Sequence, residues 1–161
     1  MYNKETHLSE HFSKKEVTYS PTAEKYKIDN TPSKEQWKRI QTLVDEVLEP
    51  VRIGLDKPII VNSVFRSAKL NERVKGAGTS QHLANKGAAA DIECPSLGNK
   101  ELFDYILTNL DFDQLIWEYG DKINGPDWIH VSFVSKGKNR NQVLRCVKDV
   151  KGNPKYIPYK N

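Results

Sequence analysis

The chain has 161 residues and carries 25 Lys and Arg against 21 Asp and Glu, which gives a formal net charge of +4 at pH 7. This length is typical of one domain of roughly 100–200 residues, and no apolar run approaches the ~18 residues that span a bilayer. Basic residues are interleaved with acidic ones along the chain, a pattern that argues against nucleic-acid binding.

The N-terminal segment, MYNKETHLSEHFSKKEV, lacks the apolar stretch of a secretory signal. We therefore expect the protein to be made in the cytoplasm and to reach any extracellular target by a route other than its own leader. Residues 1–30 are polar and predict an N-terminal arm packed on a domain over residues 31–150, followed by an extended tail over 151–161. The apolar residues of the arm are Phe12, Val17 and Tyr19.

The first long helix is predicted to begin at Ser33, because Ser33-x-x-Gln36 has the spacing of a capping box. Apolar residues then recur at i, i+3 and i+4, which gives one stripe for a core. These residues are Trp37, Ile40, Leu43, Val44, Val47 and Leu48. Pro50 is expected to end or kink this helix, since proline removes a helical hydrogen bond.

The rest of the chain alternates strand-like and helical patterns around a glycine-containing loop over 75–80. The predicted strands cover 58–65, 88–94, 114–119, 128–134 and 142–148, and two further helices cover 67–74 and 102–110. Helices followed by clustered short strands favour an α+β fold with a largely antiparallel sheet. Cys94 and Cys146 each fall in a predicted strand, and we expect both to be buried free thiols.

His82, Asp91 and His130 are the candidate metal ligands. Asp91 and His130 lie inside strand-like apolar runs, where an unpaired ionisable group is costly. Two histidines and one carboxylate with an open fourth position form a catalytic zinc arrangement. The same residue types also fit two simpler interpretations, in which Asp91 pairs with a Lys or Arg and His130 is a core histidine with its hydrogen bonds satisfied.

Two carboxylates are candidates for a general base beside such a metal. Asp127 precedes His130 by three residues, at a turn before a strand, so it can lie beside the metal without coordinating it. The Pro-Asp pair is equally ordinary turn chemistry. Glu118 is the rival base. Arg66 lies at the end of the first strand, and its planar guanidinium suits a substrate carboxylate or a developing oxyanion. The sequence also allows an ordinary surface arginine at this position.

A second metal-binding pattern occurs near the N-terminus, where His7-Leu8-Ser9-Glu10-His11 matches H-x-x-E-H. That pattern requires both histidines on one helical turn and a third ligand, and only His82 or His130 could supply it. Chain termini usually fray, so we expect a helical turn that leads into the domain and no metal site here.

Four motifs occur in order along the chain: Phe65-Arg66-Ser67-x-x-Leu70-Asn71, Ser80-Gln81-His82, Gly87-x-Ala89-Ala90-Asp91-Ile92 and Asp127-x-x-His130-Val131. Together they resemble the zinc D-Ala-D-Ala carboxypeptidase family (the LAS metallopeptidases), which includes cell-wall carboxypeptidases and many phage endolysins. The resemblance extends from about residue 8 to about residue 148. The segments Ser9-Glu10-His11-Phe12 and 112–118 resemble the subfamily carried by phages and mobile elements.

The resemblance implies a Hedgehog/DD-peptidase-like fold, α+β, with a central mostly antiparallel sheet and flanking helices. The zinc ligands that it implies are His82, Asp91 and His130. It implies Asp127 as the catalytic acid/base, and Arg66 and Ser80 as contacts to the peptide substrate. The chain departs from the family in one loop, where Leu83-Ala84-Asn85-Lys86 supplies four residues instead of two before Gly87, and this insertion is expected to alter the shape of the cleft.

We therefore expect a monomeric zinc peptidase that hydrolyses peptidoglycan stem peptides at the cell wall. The bond is either a terminal D-Ala-D-Ala link, cut by a carboxypeptidase, or an internal L-Ala-D-Glu or cross-bridge link, cut by an endopeptidase. The alternative is a non-catalytic, metal-binding module that serves as a structural or wall-binding part of a phage particle. A metal-free binding domain is a further alternative.

Overall fold

Residues 1–160 are described by the structure, a computed structural model, and their elements follow the predicted order. The helices are α1 (Lys14–Thr18), α2 (Pro21–Tyr26), α3 (Lys34–Leu43), α4 (Glu49–Leu55), α5 (Ala68–Arg73) and α6 (Asn99–Asn109). A π-helical turn, Val44–Leu48, joins α3 to α4, and a 3₁₀ turn covers Gln81–Leu83. The strands are β1 (Ile60–Ser63), β2 (Ala88–Glu93), β3 (Gln114–Glu118), β4 (Trp128–Phe133), β5 (Gln142–Lys148) and β6 (Pro154–Pro158).

The six strands form one sheet in the order β1-β2-β4-β3-β5-β6. Every neighbouring pair is antiparallel except β3 and β5, which run parallel. This sheet, flanked by helices, confirms the predicted α+β class. The tail is extended, as predicted, and its strand β6 pairs with β5 at the edge of the sheet. Asn161, the last residue of the predicted tail, lies outside the described residues.

The long helix begins where the capping box predicts. The Ser33 hydroxyl accepts a hydrogen bond from the Gln36 backbone N–H, and the Gln36 side chain accepts one from the Ser33 N–H. The helix does not end at Pro50, however, because helical backbone continues to Leu55. In the preceding π turn, the Glu49 backbone N–H donates to the Val44 carbonyl five residues earlier. This wider turn lets the helix continue through Pro50, which has no backbone N–H to donate.

The two faces of the sheet have different surroundings, because side chains alternate along a strand. On one face, Leu115, Trp117, Ile129 and Val131 are buried in the main core, where α3 and α6 contact the central strands. The intervening side chains of the same strands face the other way and line an open cleft. The core therefore lies on one side of the sheet and the cleft on the other.

The N-terminal arm packs onto this core through Leu8, Phe12 and Val17, all of which are buried in it. Tyr19, the third residue of this apolar trace, is 49% exposed and is not part of the buried contact. The boundary between arm, domain and tail stays a prediction.

Both cysteines are free and buried, as predicted. Cys146 lies in β5, and Cys94 follows the last residue of β2. None of the helices within residues 1–160 has the length and hydrophobicity needed to cross a bilayer.

Candidate active site

The structure brings His82, Asp91 and His130 together in the cleft. One ligand atom from each lies within 4.8 Å of the others, and within residues 1–160 this is the only group of three or more His, Cys, Asp or Glu side chains arranged this closely. Asp91 and His130 are directly opposed in the antiparallel pair of β2 and β4. His82 comes from the 3₁₀ turn that precedes β2, so three separate segments supply the group.

The donor atoms of this group fit a zinc ion. The ring Nδ1 of His82 donates to the Val64 carbonyl at 2.8 Å, which leaves Nε2 free to coordinate, 3.3 Å from the Asp91 carboxylate. The Nδ1 of His130 lies 3.1 Å from the other Asp91 oxygen. Zn–N and Zn–O bonds of about 2.0–2.2 Å in a tetrahedron place neighbouring ligand atoms roughly 3.3 Å apart. Each histidine nitrogen lies near that distance from one Asp91 oxygen, and one ligand atom from each of the three residues lies within 4.8 Å of the others.

Burial and charge set the protonation states of His82 and Asp91. Burial lowers the pKa of His82 and outweighs the opposing effect of Asp91, which favours the neutral ring that binds a metal. Burial alone would raise the pKa of Asp91, but His82 and His130 hold it well below its usual range. Asp91 therefore stays ionised. It is the single acidic member of the group, as a two-histidine, one-carboxylate zinc site requires.

Local hydrogen bonds hold the 3₁₀ turn that carries His82. The Ser80 hydroxyl caps the turn by accepting from the His82 backbone N–H at 3.3 Å, and the Arg66 N–H donates to the His82 carbonyl at 2.9 Å. Ser80 thus has a structural role in addition to its place in the lining of the cleft.

The extra residues after His82 are fixed by helix α3. Gln36 donates to the Leu83 carbonyl at 2.9 Å, and Arg39 donates to the Ala84 carbonyl at 3.1 Å. Ala84 turns the chain through a left-handed conformation, with φ 52°. The insertion is therefore held against a helix, and it does not separate His82 from Asp91.

Arg66 lines the cleft beside His82, Asp91 and His130, which we call the metal group. Its Nη2 lies 3.3 Å from the Asp91 carboxylate, and its Nε donates to the Ser63 hydroxyl at 3.2 Å. The side chain is only one-fifth exposed, which does not match the simple surface arginine that the sequence also allowed. Its guanidinium thus lies in the cleft lining, beside the candidate ligands.

The structure places the two candidate bases differently. Glu118 is 6% exposed and lines the cleft, and burial raises its pKa against the opposing effect of His130. Asp127 is exposed and is not among the residues that line the cleft, although its neighbour Trp128 is. Its backbone N–H donates to the Glu118 carbonyl at 2.9 Å. The two carboxylates thus belong to adjacent strand ends, and Glu118 is the one that faces the cleft.

The N-terminal H-x-x-E-H pattern forms no metal site. His11 contacts Glu49 at 2.6 Å, whereas His7 contacts the Thr6 hydroxyl at 2.9 Å, so the two rings have different partners. Residues 8–12 are not helical: a hydrogen-bonded turn lies just before them, closed by the His7 N–H and the Asn3 carbonyl at 2.9 Å, and α1 begins only at Lys14. The Ser9 hydroxyl donates to the same Glu49 carboxylate at 2.6 Å, so both residues hold this loop against α4.

One polar network at the cleft has no counterpart in the sequence predictions. The buried Asp113 carboxylate accepts hydrogen bonds from the Arg140 guanidinium and from Gln81, the residue before His82. These partners lie 27 and 32 residues from Asp113, and no short-range pattern links them. Asp113 and Gln81 both lie in segments that carry the family resemblance, but nothing in the sequence pairs them with each other or with Arg140.

A protein-family model described as Peptidase M15 matches residues 10–132, which is well over half of the chain. The matched range contains the three candidate metal ligands and also Arg66, Ser80 and Asp127. A search of curated proteins finds no significant match.

Proposed function

The chain belongs to the peptidase M15 family, and on that premise we propose that it is a zinc-dependent peptidase that hydrolyses peptidoglycan stem peptides at the bacterial cell wall. The observation that carries this proposal is the group of two histidines and one carboxylate open to a cleft on the exposed face of the sheet. A peptide that enters this cleft meets the group directly.

We assign zinc binding to the Nε2 of His82, the Nδ1 of His130 and the carboxylate of Asp91. A zinc ion bound there supplies a water whose pKa is lowered toward ~7 and a Lewis acid that polarises the scissile carbonyl. The Val64 carbonyl orients the His82 ring, and Arg66 contacts the ionised Asp91 at Oδ2, the oxygen that also faces His82. Arg66 also presents its guanidinium to the oxygen that gains charge during attack.

The general base is proposed to be Asp127, which takes a proton from the attacking water and later gives it to the leaving amine. This assignment rests on the Asp127-x-x-His130 spacing that the chain shares with the resembling family. Glu118 is the competing assignment, favoured by its place in the cleft. The side chain that acts as base must reach the water, so exchange of each carboxylate for its amide separates the two.

The substrate bond is proposed to be one of two kinds, a terminal D-Ala-D-Ala link or an internal link of the stem peptide. Arg66 suits a terminal carboxylate, whereas the motifs resembling those of phage enzymes suit a lytic endopeptidase. Incubation of the purified protein with defined stem peptides distinguishes them by fragment mass. Release of free D-Ala indicates a carboxypeptidase, and two peptide fragments indicate an endopeptidase.

The second candidate function is a non-catalytic, metal-binding module of a phage particle. The exposed position of Asp127, outside the lining of the cleft, is the observation that favours it. Such a module binds zinc at full stoichiometry and cuts no peptide. Zinc content measured on the same sample as cleavage therefore separates the two functions.

A further inference from the structure

The metal group lies at the middle of the cleft floor, as the strand register shows. Asp91, His130 and Ile116 are aligned across three adjacent strands. On the same face of β3, Glu118 lies two residues after Ile116, and Gln114 lies two residues before it. At about 3.4 Å per residue, each of these positions is about 7 Å from the middle row, by which we mean the row formed by Asp91, His130 and Ile116.

The two ends of the cleft differ in chemistry. The Glu118 end is acidic and aromatic, since Trp128 is opposite Glu118 in the sheet and Tyr156 also lines this end. The Gln114 end carries the Gln142 amide and, just before β5, the guanidinium of Arg140. Arg66 beside the metal group and Lys75 of the loop over 75–80 also line the cleft, and Arg140 is the cation at its Gln114 end.

Arg140 is held in a fixed orientation by a buried carboxylate. Asp113 is 2% exposed and accepts from the Arg140 Nε at 3.0 Å, from its Nη2 at 2.6 Å and from its backbone N–H at 3.0 Å. Gln81 donates to the same carboxylate at 2.9 Å, so the remaining acceptor capacity of Asp113 is used within the protein. The guanidinium thus needs no reorganisation to bind a second anion.

The outer edge of the same guanidinium remains available. The Arg140 side chain is 54% exposed and lines the cleft, and its Nη1 has no acceptor within residues 1–160. The ion pair of Arg140 with Asp113 has no net charge, but its carboxylate is buried and its guanidinium is exposed. Arg66 differs, because its guanidinium is beside the metal group and contacts Asp91.

We propose that Arg140 is a specificity residue that binds a carboxylate of the peptide substrate at a distance from the scissile bond, and that Asp113 positions it. The inference rests on the proposed function. Arg140 precedes Gln142 by two residues, so along the strand direction it lies roughly 7–14 Å from the row of Asp91, His130 and Ile116, which corresponds to two to four residues of extended peptide. It is also offset sideways, because β3 lies between β4 and β5, and its long side chain must bridge that offset. The substrate class is therefore a peptide with an acidic group two to four residues from the bond that is cut.

The test uses stem peptides in which one carboxylate at a time is converted to a carboxamide. Calorimetry measures their binding to the metal-free protein, in which the peptide is not cut, and mass spectrometry measures cleavage after zinc is added. The variants are Arg140→Gln, Arg140→Lys and, as a matched control, Lys138→Gln, which removes a nearby exposed charge outside the cleft lining.

For one carboxylate position, we expect the amide to weaken binding to the unaltered protein about tenfold. Arg140→Gln removes this preference, Arg140→Lys keeps part of it, and Lys138→Gln leaves it unchanged. Equal binding of acid and amide peptides by the unaltered protein overturns the inference, as does the absence of measurable binding. An equal loss for both peptides in Arg140→Gln also overturns it, because that result indicates a purely structural role. If the preference holds but zinc-loaded protein cuts nothing, the proposed function fails and the assignment of Arg140 stands.

Discussion

Asp91 and His130 are directly opposite each other in the antiparallel pair of β2 and β4, with the His130 Nδ1 3.1 Å from an Asp91 oxygen. The register of these strands is fixed by their other face, where Ala90, Ile92, Ile129 and Val131 are fully buried. A slip of one residue would move the apolar side chains into the cleft and both ligands into the core. The packing of the core thus determines the geometry of the candidate metal site.

Loss of a ligand side chain is expected to abolish zinc binding without unfolding the chain. His82→Ala and His130→Ala each remove one of three donor atoms, so zinc affinity falls by more than about 100-fold. Metal content of the dialysed proteins, measured by mass spectrometry, checks this, and circular dichroism checks the fold. His11→Ala is the matched control and keeps its zinc. Loss of zinc in that control, with retention in His130→Ala, would move the site to the N-terminal histidines.

The general base is expected to be revealed by a comparison of Asp127→Asn with Glu118→Gln, since each keeps the shape of the side chain and removes its charge. Loss of the true base lowers kcat by about 10²–10⁴-fold, and zinc content stays unchanged in both variants. We predict the large loss for Asp127→Asn. Steady-state rates on the peptide that the unaltered protein cuts decide the matter, and the reverse ranking would assign the role to Glu118.

Arg66→Lys is expected to lower kcat/KM by about 10–100-fold while zinc content is retained. Lysine keeps the positive charge but cannot contact Ser63 and Asp91 at once, as the planar guanidinium does. Arg52→Lys is the matched control, because Arg52 lies in α4, outside the cleft lining. An unchanged kcat/KM in Arg66→Lys would remove Arg66 from the substrate contacts.

The ion pair of Asp113 with Arg140 predicts a pH-dependent contribution to stability. Burial would raise the pKa of Asp113, but hydrogen bonds from Arg140 and Gln81 hold it below its usual range. The ionised form therefore stabilises the fold at pH values above the unfolded pKa of about 3.9, and this contribution is lost as the pH falls through the lower folded pKa. Asp113→Asn should cost about 1–3 kcal/mol in the free energy of unfolding at pH 7, and progressively less below about pH 4.

Urea unfolding at pH 7 and at pH 3 measures this difference. Asp111→Asn, which changes an exposed carboxylate two residues away, is the control for a general charge effect. A cost for Asp113→Asn that is the same at both pH values would contradict this account, because ionisation of Asp113 would then not be the source of the lost stability.

Local patterns in the sequence predicted most of the fold, because strand and helix periodicity follow directly from which side chains are buried. The capping box at Ser33 and the strand that carries Asp91 are examples. The effect of Pro50 was not predicted correctly, because a π turn five residues long accommodates the proline inside a continuous helix. The H-x-x-E-H pattern misleads for a similar reason, since His11 contacts Glu49, a residue 38 positions away.

The candidate site was only partly accessible to sequence reasoning. The residue types of His82, Asp91 and His130 allow a metal site, and the family resemblance implies one. The strand register opposes Asp91 to His130, and the 3₁₀ turn adds His82, so only the fold brings the three together. The bond between Asp113 and Arg140 joins residues on separate loops, and the direction in which Asp127 and Glu118 point depends on how two strand ends meet. Such long-range contacts leave no periodic signal in the chain.

The most direct test of the proposed activity is the digestion of defined stem peptides, analysed by mass spectrometry, with and without a chelator. We predict that the purified protein contains one zinc ion and cuts a single kind of bond. Chelation should stop the cleavage, and added zinc should restore it. A protein that holds zinc at full stoichiometry and releases no fragment from any stem peptide would contradict the peptidase proposal.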